Sequence, residues 1–280
     1  MSGILYVVGT PIGNLGDFSP RAAEVLDSCD FIAAEDTRVS LKLLNHFEIK
    51  KPLISYFEHN KFEKGPYIVE RILAGENCAI VTDAGMPAIS DPGEDLVKLC
   101  RENGIKVESV PGPVAFATAL AISGMPSKRF TFEGFPPVEK QPRKKLFESL
   151  KKEERTIIFY EAPHKISGTL RDLAAIFDDR EIAIVRELTK IHEEVIRTTL
   201  YAAAEKYSKE ELKGELVLII EGAKPDEGEN MTLDEAIKYA LELVEGGESK
   251  TEAAKIAAKE SGYKKGEIYK GICSAVCDIS

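Results

Sequence analysis

A loop dense in glycine, proline and aspartate is the feature of this sequence that most restricts its fold. Residues 81–93 read Val-Thr-Asp-Ala-Gly-Met-Pro-Ala-Ile-Ser-Asp-Pro-Gly and follow the short apolar run 78–81. Gly85 frees a backbone position that a side chain would block, and Pro87 and Pro92 fix φ on either side. Because open α/β sheets bind ligands at the carboxyl ends of their strands, the loop predicts a preformed ligand cradle. A tightly packed strand-to-helix turn is the alternative interpretation.

Short apolar runs alternate with helical segments over the first 124 residues. Ile4 to Val8 reads as a buried strand ended by Gly9, and Ser19-Pro20 marks the start of the first helix. This alternation predicts a mostly parallel sheet with helices on both faces. Further strands are predicted at 31–34, 53–56, 78–81 and 107–110, and further helices at 39–47, 67–73, 94–99 and 113–122.

The pattern changes after residue 128 to one that is α+β in character. Arg129 to Phe135 alternates as an exposed edge strand would, and strands at 181–186 and 192–200 are close enough to form an antiparallel hairpin. The remaining strands of this half are predicted at 156–160 and 215–221, with helices near 166–177 and 201–207.

Glycine, proline and acidic residues at 222–230 predict a linker. Three short helices follow, at 232–246, 250–261 and 264–277, and resemble a small helix-turn-helix-like bundle. The sequence thus predicts three domains: an N-terminal α/β domain with glycine-rich loops (1–124), an α+β domain that completes a ligand cleft (125–224) and a helical tail (231–280).

Charge and hydropathy limit the classes of function. The net charge of −10 argues against indiscriminate nucleic-acid binding, although a local basic patch such as 141–145 stays possible. No apolar run approaches the roughly 20 residues needed to span a bilayer, and the N-terminus lacks a signal-peptide pattern. We therefore expect a cytoplasmic protein without a membrane partner.

Five cysteines, at positions 29, 78, 100, 273 and 277, include no CxxC pair. Metal ligation would need further cysteine or histidine ligands nearby, so we expect no metal and read the cysteines as small buried apolar residues.

A second glycine-rich segment, Gly9-Thr-Pro-Ile-Gly-Asn-Leu-Gly16, has the spacing GxxxGxxG rather than the dinucleotide pattern GxGxxG. Two separate Gly/Pro loops fit a cleft that holds a bent, compact ligand better than one that holds an extended dinucleotide.

Seven blocks of this chain, in order, resemble those of the RsmI family of bacterial ribosomal-RNA ribose 2′-O-methyltransferases, which have the tetrapyrrole-methylase fold. The resemblance covers essentially the whole chain, with Thr82 where the family more often has serine. Besides the 81–93 loop, the blocks are Leu5 to Asp17, Ala34-Glu-Asp-Thr-Arg38, Ser55 to Asn60, Val110-Pro-Gly-Pro113, Phe159 to Lys165 and Arg186-Glu-Leu-Thr-Lys190.

The resemblance implies S-adenosylmethionine as the cofactor, bound between two α/β domains. By the resemblance, the cofactor-binding positions are Pro11, Asp83, Ala84, Gly85, Met86, Pro87, Ile89, Ser90, Val114, Ala115, Tyr160, Glu161, Leu188, Thr189 and Gly214. A sulfonium donor needs no metal and no covalent nucleophile, so alignment and a desolvated site would lower most of the barrier.

The acceptor implied by the resemblance is the ribose 2′-hydroxyl of a cytidine in the decoding centre of 16S rRNA, within the 30S particle. Because this hydroxyl is a poor nucleophile, a nearby base or cation would help, and Asp36, Arg38 and His59 are the predicted catalytic residues. An Arg–carboxylate clamp and a structural histidine are the alternatives. The predicted RNA-binding cations are Arg38, Lys42, Lys61 and the cluster Arg143–Lys145.

Two other functions stay open at this point, namely a tetrapyrrole C-methyltransferase of the same fold and a non-enzymatic regulator that binds nucleic acid through its tail. The resemblance and the aromatic segment 129–135 also predict a homodimer.

Overall fold

The structure is a computed structural model that describes residues 2–91, 93–224 and 231–277. The chain separates into two compact units, Met1–Ala223 and Lys224–Ser280. The strands of the first unit are β1 (Ile4–Val8), β2 (Phe31–Ala34), β3 (Leu53–Ser55), β4 (Cys78–Val81), β5 (Lys106–Val110), β6 (Phe130–Phe132), β7 (Thr156–Glu161), β8 (Glu181–Arg186), β9 (Glu194–Thr199) and β10 (Leu216–Ile220). Its helices are α1 (Pro20–Ser28), α2 (Thr37–His46), α3 (Lys61–Leu73), α4 (Gly93–Glu102), α5 (Ala115–Ser123), α6 (Lys140–Ser149), α7 (Ile166–Phe177) and α8 (Leu200–Lys206).

The first sheet has the strand order β3-β2-β4-β1-β5, and its recorded pairings are all parallel. Alternate side chains of one strand point to opposite faces, so each face can bury a separate set of helices. Leu5 packs with Ile68 of α3 and Leu96 of α4, whereas Val8 packs with Leu26 of α1 and Leu44 of α2. The predicted parallel sheet with helices on both faces is confirmed.

The second sheet is mixed and has the order β6-β7-β10-β8-β9. Strand β6 lies at one edge of the sheet, as the alternation of 129–135 predicted. It is parallel to β7, and the other neighbouring strands are antiparallel. The predicted hairpin is β8–β9, with Ile184 opposite Ile196. One face of the sheet packs against α6, α7 and α8 around Phe147, Phe159 and Leu173.

Helix α5 and the loop after β1 connect the two sheets. Ala119 and Leu120 of α5 pack on Ile158 and Val217 of the second sheet, and Ile12 from the first half enters the same buried cluster. The predicted boundary after Gly124 therefore follows a helix that packs on the second sheet. Both halves lie in one compact unit, and their division into 1–124 and 125–224 stays a prediction.

Two elements differ from the sequence prediction. Helix α3 begins at Lys61 rather than 67, because Pro66 is accommodated inside the helix instead of ending it. Helix α6 carries the basic stretch 141–145, for which a solvated helix face was one interpretation but no helix bounds were predicted. Pro92 and most of the predicted linker (222–230) lie outside the described residues.

The second unit contains three helices, α9 (Leu233–Glu245), α10 (Lys250–Ser261) and α11 (Lys265–Cys277), as predicted for the tail. Thr232 and Glu235 form a capping box at the start of α9, and Gly262 ends α10 with φ +76. The buried core is small, with Ala236, Ala240, Ala253, Ala254, Ala257, Ile268 and Ile272 fully enclosed. The boundaries 231–280 of this domain stay a prediction. Within the described part of the chain, no helix has the length and apolarity that a bilayer crossing requires.

Candidate active site

A cavity of about 430 Å³ lies in the first unit where the glycine-rich loop after β4 faces the second sheet. Its walls come from the loop after β4, the start of α5, the end of β7 and the strands β8 and β10. Eleven of the predicted cofactor-binding residues line it: Asp83, Ala84, Gly85, Met86, Ile89, Ser90, Val114, Ala115, Tyr160, Glu161 and Leu188. Eleven further residues line the cavity that were not among the predicted cofactor-binding positions, although Thr82 and Asp91 belong to the predicted cradle 81–93: Ile12, Glu35, Thr82, Asp91, Phe135, Ala162, Pro163, Val185, Glu215, Leu216 and Val217.

The loop 82–91, which we call the cradle loop, is tied by backbone hydrogen bonds to the loop that follows β1. Gly85 exchanges two backbone hydrogen bonds with Thr10, with N···O distances of 2.9 and 3.2 Å. Its φ of +90 lies in the region that glycine tolerates and other residues rarely adopt. Ala88 and Ser90 also have positive φ, near +65. Non-glycine residues in this region persist only where the surroundings hold them, so the cradle loop stores strain beside the cavity.

Asp91 fixes the far end of the cradle loop. Its Oδ1 accepts hydrogen bonds from Ala88 N (3.0 Å) and Gly93 N (2.7 Å). Burial raises the pKa of the Asp91 carboxyl, and these two backbone donors lower it in part.

The opposite wall uses a second strained loop, which follows β8. Glu187 and Thr189 have φ of +52 and +65, and Leu188 between them lines the cavity. Thr189 instead lines a separate, more open depression with Ile12 and the turn 111–113. Gly214 does not line the cavity, and it packs so closely on Glu187 that a Cβ there would stand 2.5 Å from Glu187 Cγ. Pro11 and Pro87 do not line the cavity either.

Tyr160 and Glu161 form the polar end of β7. The Tyr160 hydroxyl accepts a hydrogen bond from Phe116 N at 3.2 Å, and burial raises the pKa of this tyrosine. Glu161 is buried, and its two oxygens accept hydrogen bonds from Ala162 N (2.7 Å) and from the Thr169 hydroxyl. The Phe135 ring lies 5.4 Å from that of Tyr160 and adds an apolar surface.

The charge of the cavity is negative. Five carboxylate side chains line it, and no lysine, arginine or histidine does so among the described residues; the five are Glu35, Asp83, Asp91, Glu161 and Glu215. Glu35 Oε2 accepts hydrogen bonds from Thr82 Oγ1 (2.6 Å) and Asp83 N (3.4 Å). Burial, together with the charge of Glu35, raises the pKa of Asp83. A cationic ligand would relieve this repulsion, whereas a pyrophosphate would increase it.

The predicted catalytic residues lie outside the lining of the cavity. Asp36 begins α2 and binds Arg38 through both carboxylate oxygens, at 3.0 Å to Nε and 2.6 Å to Nη2. The hydrogen bond from the Arg38 side chain lowers the pKa of Asp36 to about 2. Asp36 N also donates to Asp83 Oδ1 at 3.0 Å, which ties the pair to the cradle loop. His59 is exposed, with its ring edge-on to Phe57 at 6.0 Å.

Three of the predicted RNA-binding cations have carboxylate partners: the exposed Arg38, which binds Asp36, and two residues with largely enclosed side chains, Arg143 and Lys61. Arg143 is nearly buried and binds Asp172 through Nε (3.0 Å) and Nη2 (2.6 Å), because α6 packs on α7. Lys61 lies between Glu58 and Asp95, at 2.8 and 2.7 Å. For these two residues the prediction of a free cation is wrong.

Three of the four cysteines whose side chains are described agree with the prediction of buried apolar residues. Cys29, Cys78 and Cys100 are buried, and burial raises the pKa of the Cys29 thiol to about 11. Cys273 is half-buried, and the side chain of Cys277 lies outside the described part of the chain. No group of three His, Cys, Asp or Glu residues within the described ranges could hold a metal ion.

Comparison with known proteins agrees with this architecture. A family model described as tetrapyrrole (corrin/porphyrin) methylases matches residues 4–204. Two solved structures share the fold: a cobalt precorrin-4 methyltransferase (TM-score 0.58, 17% identity, covering 78% of this chain and 94% of that one) and a diphthine synthase (TM-score 0.59, 15% identity, covering 78% and 90%).

Comparison of sequences gives relatives with higher identity. A protein of Synechocystis sp. named ribosomal RNA small subunit methyltransferase I is 44% identical over 268 residues, covering 95% of this chain and 96% of that protein. A Thermotoga maritima protein of the same name is 47% identical over 220 residues, covering 79% of this chain and 99% of that protein. The chain belongs to the tetrapyrrole methylase family and, within it, to the group of ribosomal RNA small subunit methyltransferase I.

Proposed function

We propose that this chain transfers a methyl group from S-adenosylmethionine to the ribose 2′-oxygen of a cytidine in the decoding centre of 16S rRNA. The observation that carries the proposal is the identity of 44% over 95% of the chain to a protein named as a ribosomal RNA small subunit methyltransferase. The substrate is the RNA within the 30S particle, and the cytoplasm is the place of reaction.

The chemistry of the cavity fits this cofactor. S-adenosylmethionine carries a sulfonium and an ammonium against one carboxylate, so its net charge is positive, and five carboxylates surround the cavity. Apolar side chains such as Ile12, Val114 and Leu188 offer a surface for the adenine. We propose the fifteen predicted positions as the cofactor site, with Pro11, Pro87, Thr189 and Gly214 supporting the walls that the other eleven form.

When bound, the sulfonium group supplies an electrophilic methyl. The chain itself then contributes mainly alignment, because backbone hydrogen bonds and residues at positive φ define the shape of the cradle loop and of the loop 187–190. Apolar walls exclude water from the reacting atoms. On the acceptor side we propose Asp36, Arg38 and His59 as the residues that meet the RNA, with Asp36 linked to the cavity through Asp83.

Transfer of labelled methyl from S-adenosylmethionine to 30S particles tests the proposal, with a panel of porphyrin precursors as the competing substrates. We expect label in the 16S rRNA alone. Activity restricted to the precursors would favour the tetrapyrrole C-methyltransferase, whose structural relatives at 15–17% identity support the fold only. If titration calorimetry gives no heat with S-adenosylmethionine, the non-enzymatic regulator is favoured instead.

A local basic surface is needed to hold the RNA on an acidic protein. Lys42, Lys144 and Lys145 are exposed and remain as candidates after Arg143 and Lys61 are removed. Charge reversal of Lys144 and Lys145 should weaken RNA binding and lower the salt slope by roughly one unit for each phosphate that is no longer bound. An unchanged rate of 30S methylation across a salt series would contradict this assignment.

We also propose a homodimer that uses the edge strand β6. Phe130 and Phe135 are 39% and 59% exposed, whereas Phe132 is stacked on Phe116 at 4.4 Å. Phe130 lies on the edge strand and Phe135 follows it, and exposed aromatics at a sheet edge favour association. Light scattering at micromolar concentration should give twice the monomer mass, and a monomer mass would contradict the proposal.

A further inference from the structure

The second unit presents a helix-turn-helix on a packed base. Helices α10 and α11 are joined by a short turn at Gly262, and both pack on α9. Gly271 of α11 lies so close to α9 that a Cβ there would stand 2.2 Å from Ile237 Cδ1. The inward residues Ile268 and Ile272 fix which face of α11 is buried, and therefore which face is presented to solvent.

The exposed face of α11 is basic and aromatic. Lys265 and Tyr269 are four residues apart, as are Gly266 and Lys270, so each pair shares one side of the helix. Lys264 and Tyr263 continue this surface into the turn before the helix. The two tyrosines are 37% and 39% exposed, and the three lysines are exposed.

Basic residues outnumber acidic ones in the turn before α11 and on α11 itself. Other exposed acidic residues of this unit are Asp234, Glu235, Glu242 and Glu245 on α9, Glu248 after it and Glu260 on α10. Glu267 is the acidic residue of α11, and its Oε2 accepts a hydrogen bond from Lys264 N. In the part of this unit that the structure describes, the single ion pair joins Lys255 to Glu252 of α10. The lysines of the turn and of α11 are therefore available to an external partner.

The comparison with the Thermotoga maritima protein gives an independent reason to assign this unit a function other than forming the cavity. That protein is matched over 99% of its length by 79% of this chain, and the first unit takes about the same share. The family model likewise ends at residue 204, before the second unit. The three helices therefore add something to the shared methyltransferase body rather than complete it.

We infer that Tyr263, Lys264, Lys265, Tyr269 and Lys270 form a docking surface for RNA. The lysines bind backbone phosphates, and the tyrosines stack on unpaired bases, a combination that binds RNA without reading a particular sequence. RNA is favoured over an acidic protein because exposed aromatic rings alternate with the cations, as in proteins that bind single-stranded nucleic acid. The inference rests on the proposed RNA substrate and extends it to a second point of contact.

The test uses the full chain and a fluorescently labelled single-stranded RNA, with binding followed by anisotropy over a salt series. The variant Lys264→Glu/Lys265→Glu/Lys270→Glu should bind about tenfold more weakly or worse, and its log–log salt slope should fall by about 2 units, at about 0.7 per phosphate bound. Tyr269→Ala should weaken binding by about fivefold or more, with little change of slope, because stacking is not ionic.

A matched control is Lys238→Glu/Lys250→Glu/Lys255→Glu, which changes the charge of the same unit equally on α9 and α10. It should keep an affinity close to wild type. Equal losses of RNA affinity in both triple variants would show that only the net charge matters, and this would overturn the inference. Wild-type RNA affinity in the Lys264→Glu/Lys265→Glu/Lys270→Glu variant would overturn it as well. Helical content and the melting midpoint verify folding, and the alanine triple at 264, 265 and 270 replaces the glutamate triple if the latter does not fold.

The same samples separate this inference from the proposed function. Calorimetry with S-adenosylmethionine should be unchanged in all variants, because the altered residues lie in the second unit. If wild type and control bind RNA but transfer no methyl to 30S particles, the proposed function fails while the docking surface stands. If the α11 variant methylates 30S particles with an unchanged KM as well as an unchanged kcat, the docking surface is wrong and the proposed function stands.

Discussion

The two units of this chain differ in what fills their cores and in how their functional surfaces are supported. The first unit buries large side chains such as Phe31, Phe147 and Phe159 beneath two sheets, and its cavity is walled by strained loops. The second unit encloses five alanines and two isoleucines between three helices. A strained loop needs a large core to hold it, because each unusual backbone conformation costs about 1–3 kcal/mol. A docking surface made of side chains on helices needs only a small hydrophobic core to support it.

The largest expected effect tests the core of the first unit. Arg143→Glu would place a second carboxylate beside Asp172, which is nearly buried, and remove the partner of that group. Breaking a buried pair costs about 3–5 kcal/mol, so the melting midpoint of the first unit should fall steeply. The exposed neighbour Lys144→Glu is the control and should leave the midpoint nearly unchanged. Equal stability of the two variants would show that the pair does not support the fold.

The second prediction disturbs the small core alone. Gly271→Ala should force α11 away from Ile237 and destabilise the second unit by about 1–3 kcal/mol. Calorimetric melting should show the loss in the second unit, while S-adenosylmethionine binding by the first unit persists. Gly266→Ala, on the open face of the same helix, has no neighbour within 4 Å and should be neutral or slightly stabilising. Loss of cofactor binding in Gly271→Ala would mean that the two units are not independent.

The third prediction concerns strain in the cradle loop. Gly85→Val should abolish S-adenosylmethionine binding and leave the chain folded. A branched residue at φ of +90 is strained, and its Cβ would stand 3.4 Å from Ile12 Cγ2, so the cradle loop must change its conformation. Gly104→Ala is the control, because it introduces similar backbone strain at a residue outside the cavity lining. The φ of Gly104 is +70, and no atom lies within 4 Å of an added Cβ. It should lose about 1 kcal/mol of stability and no affinity. Wild-type affinity in a folded Gly85→Val would remove the loop from the site.

The smallest effect concerns pH. The pKa of Asp83 is raised by burial and by Glu35, and that of Asp91 is raised by burial. Folding raises these carboxyl pKa values, so the ligand-free chain gains stability as the pH falls through them and loses it as the pH rises. Affinity for a cationic cofactor should change the opposite way, weakening as these carboxylates become protonated.

Asp83→Asn separates the two effects. We expect slightly higher stability near neutral pH, several-fold weaker binding of S-adenosylmethionine, and a smaller loss for the neutral product S-adenosylhomocysteine. Titration calorimetry over acidic to neutral pH measures the two affinities, thermal melting over the same range measures the stability, and Asp17→Asn, outside the cavity, is the control. Equal weakening for both ligands would show that Asp83 contributes a contact rather than a charge.

The sequence by itself determined most of the helices and strands and the loop that lines the cavity. Apolar runs with period-2 or period-3.6 patterns gave strands such as Ile4–Val8 and Glu181–Arg186 and the three helices of the second unit. Glycine and proline marked the cradle loop because they restrict the backbone locally, and the neighbouring Asp36 and Arg38 could be paired from their spacing alone.

Only the tertiary structure decided which side chains meet. Arg143 could be read as a free cation because its partner Asp172 lies on another helix. Lys61 has a local partner in Glu58, but its second partner, Asp95, is more than one helix away along the chain. Glu35 and Phe135 reach the cavity from segments distant in sequence from the cradle loop. Local patterns report backbone preference and the buried face of an element, whereas pairing across elements depends on how sheets and helices pack, which no short stretch of residues encodes.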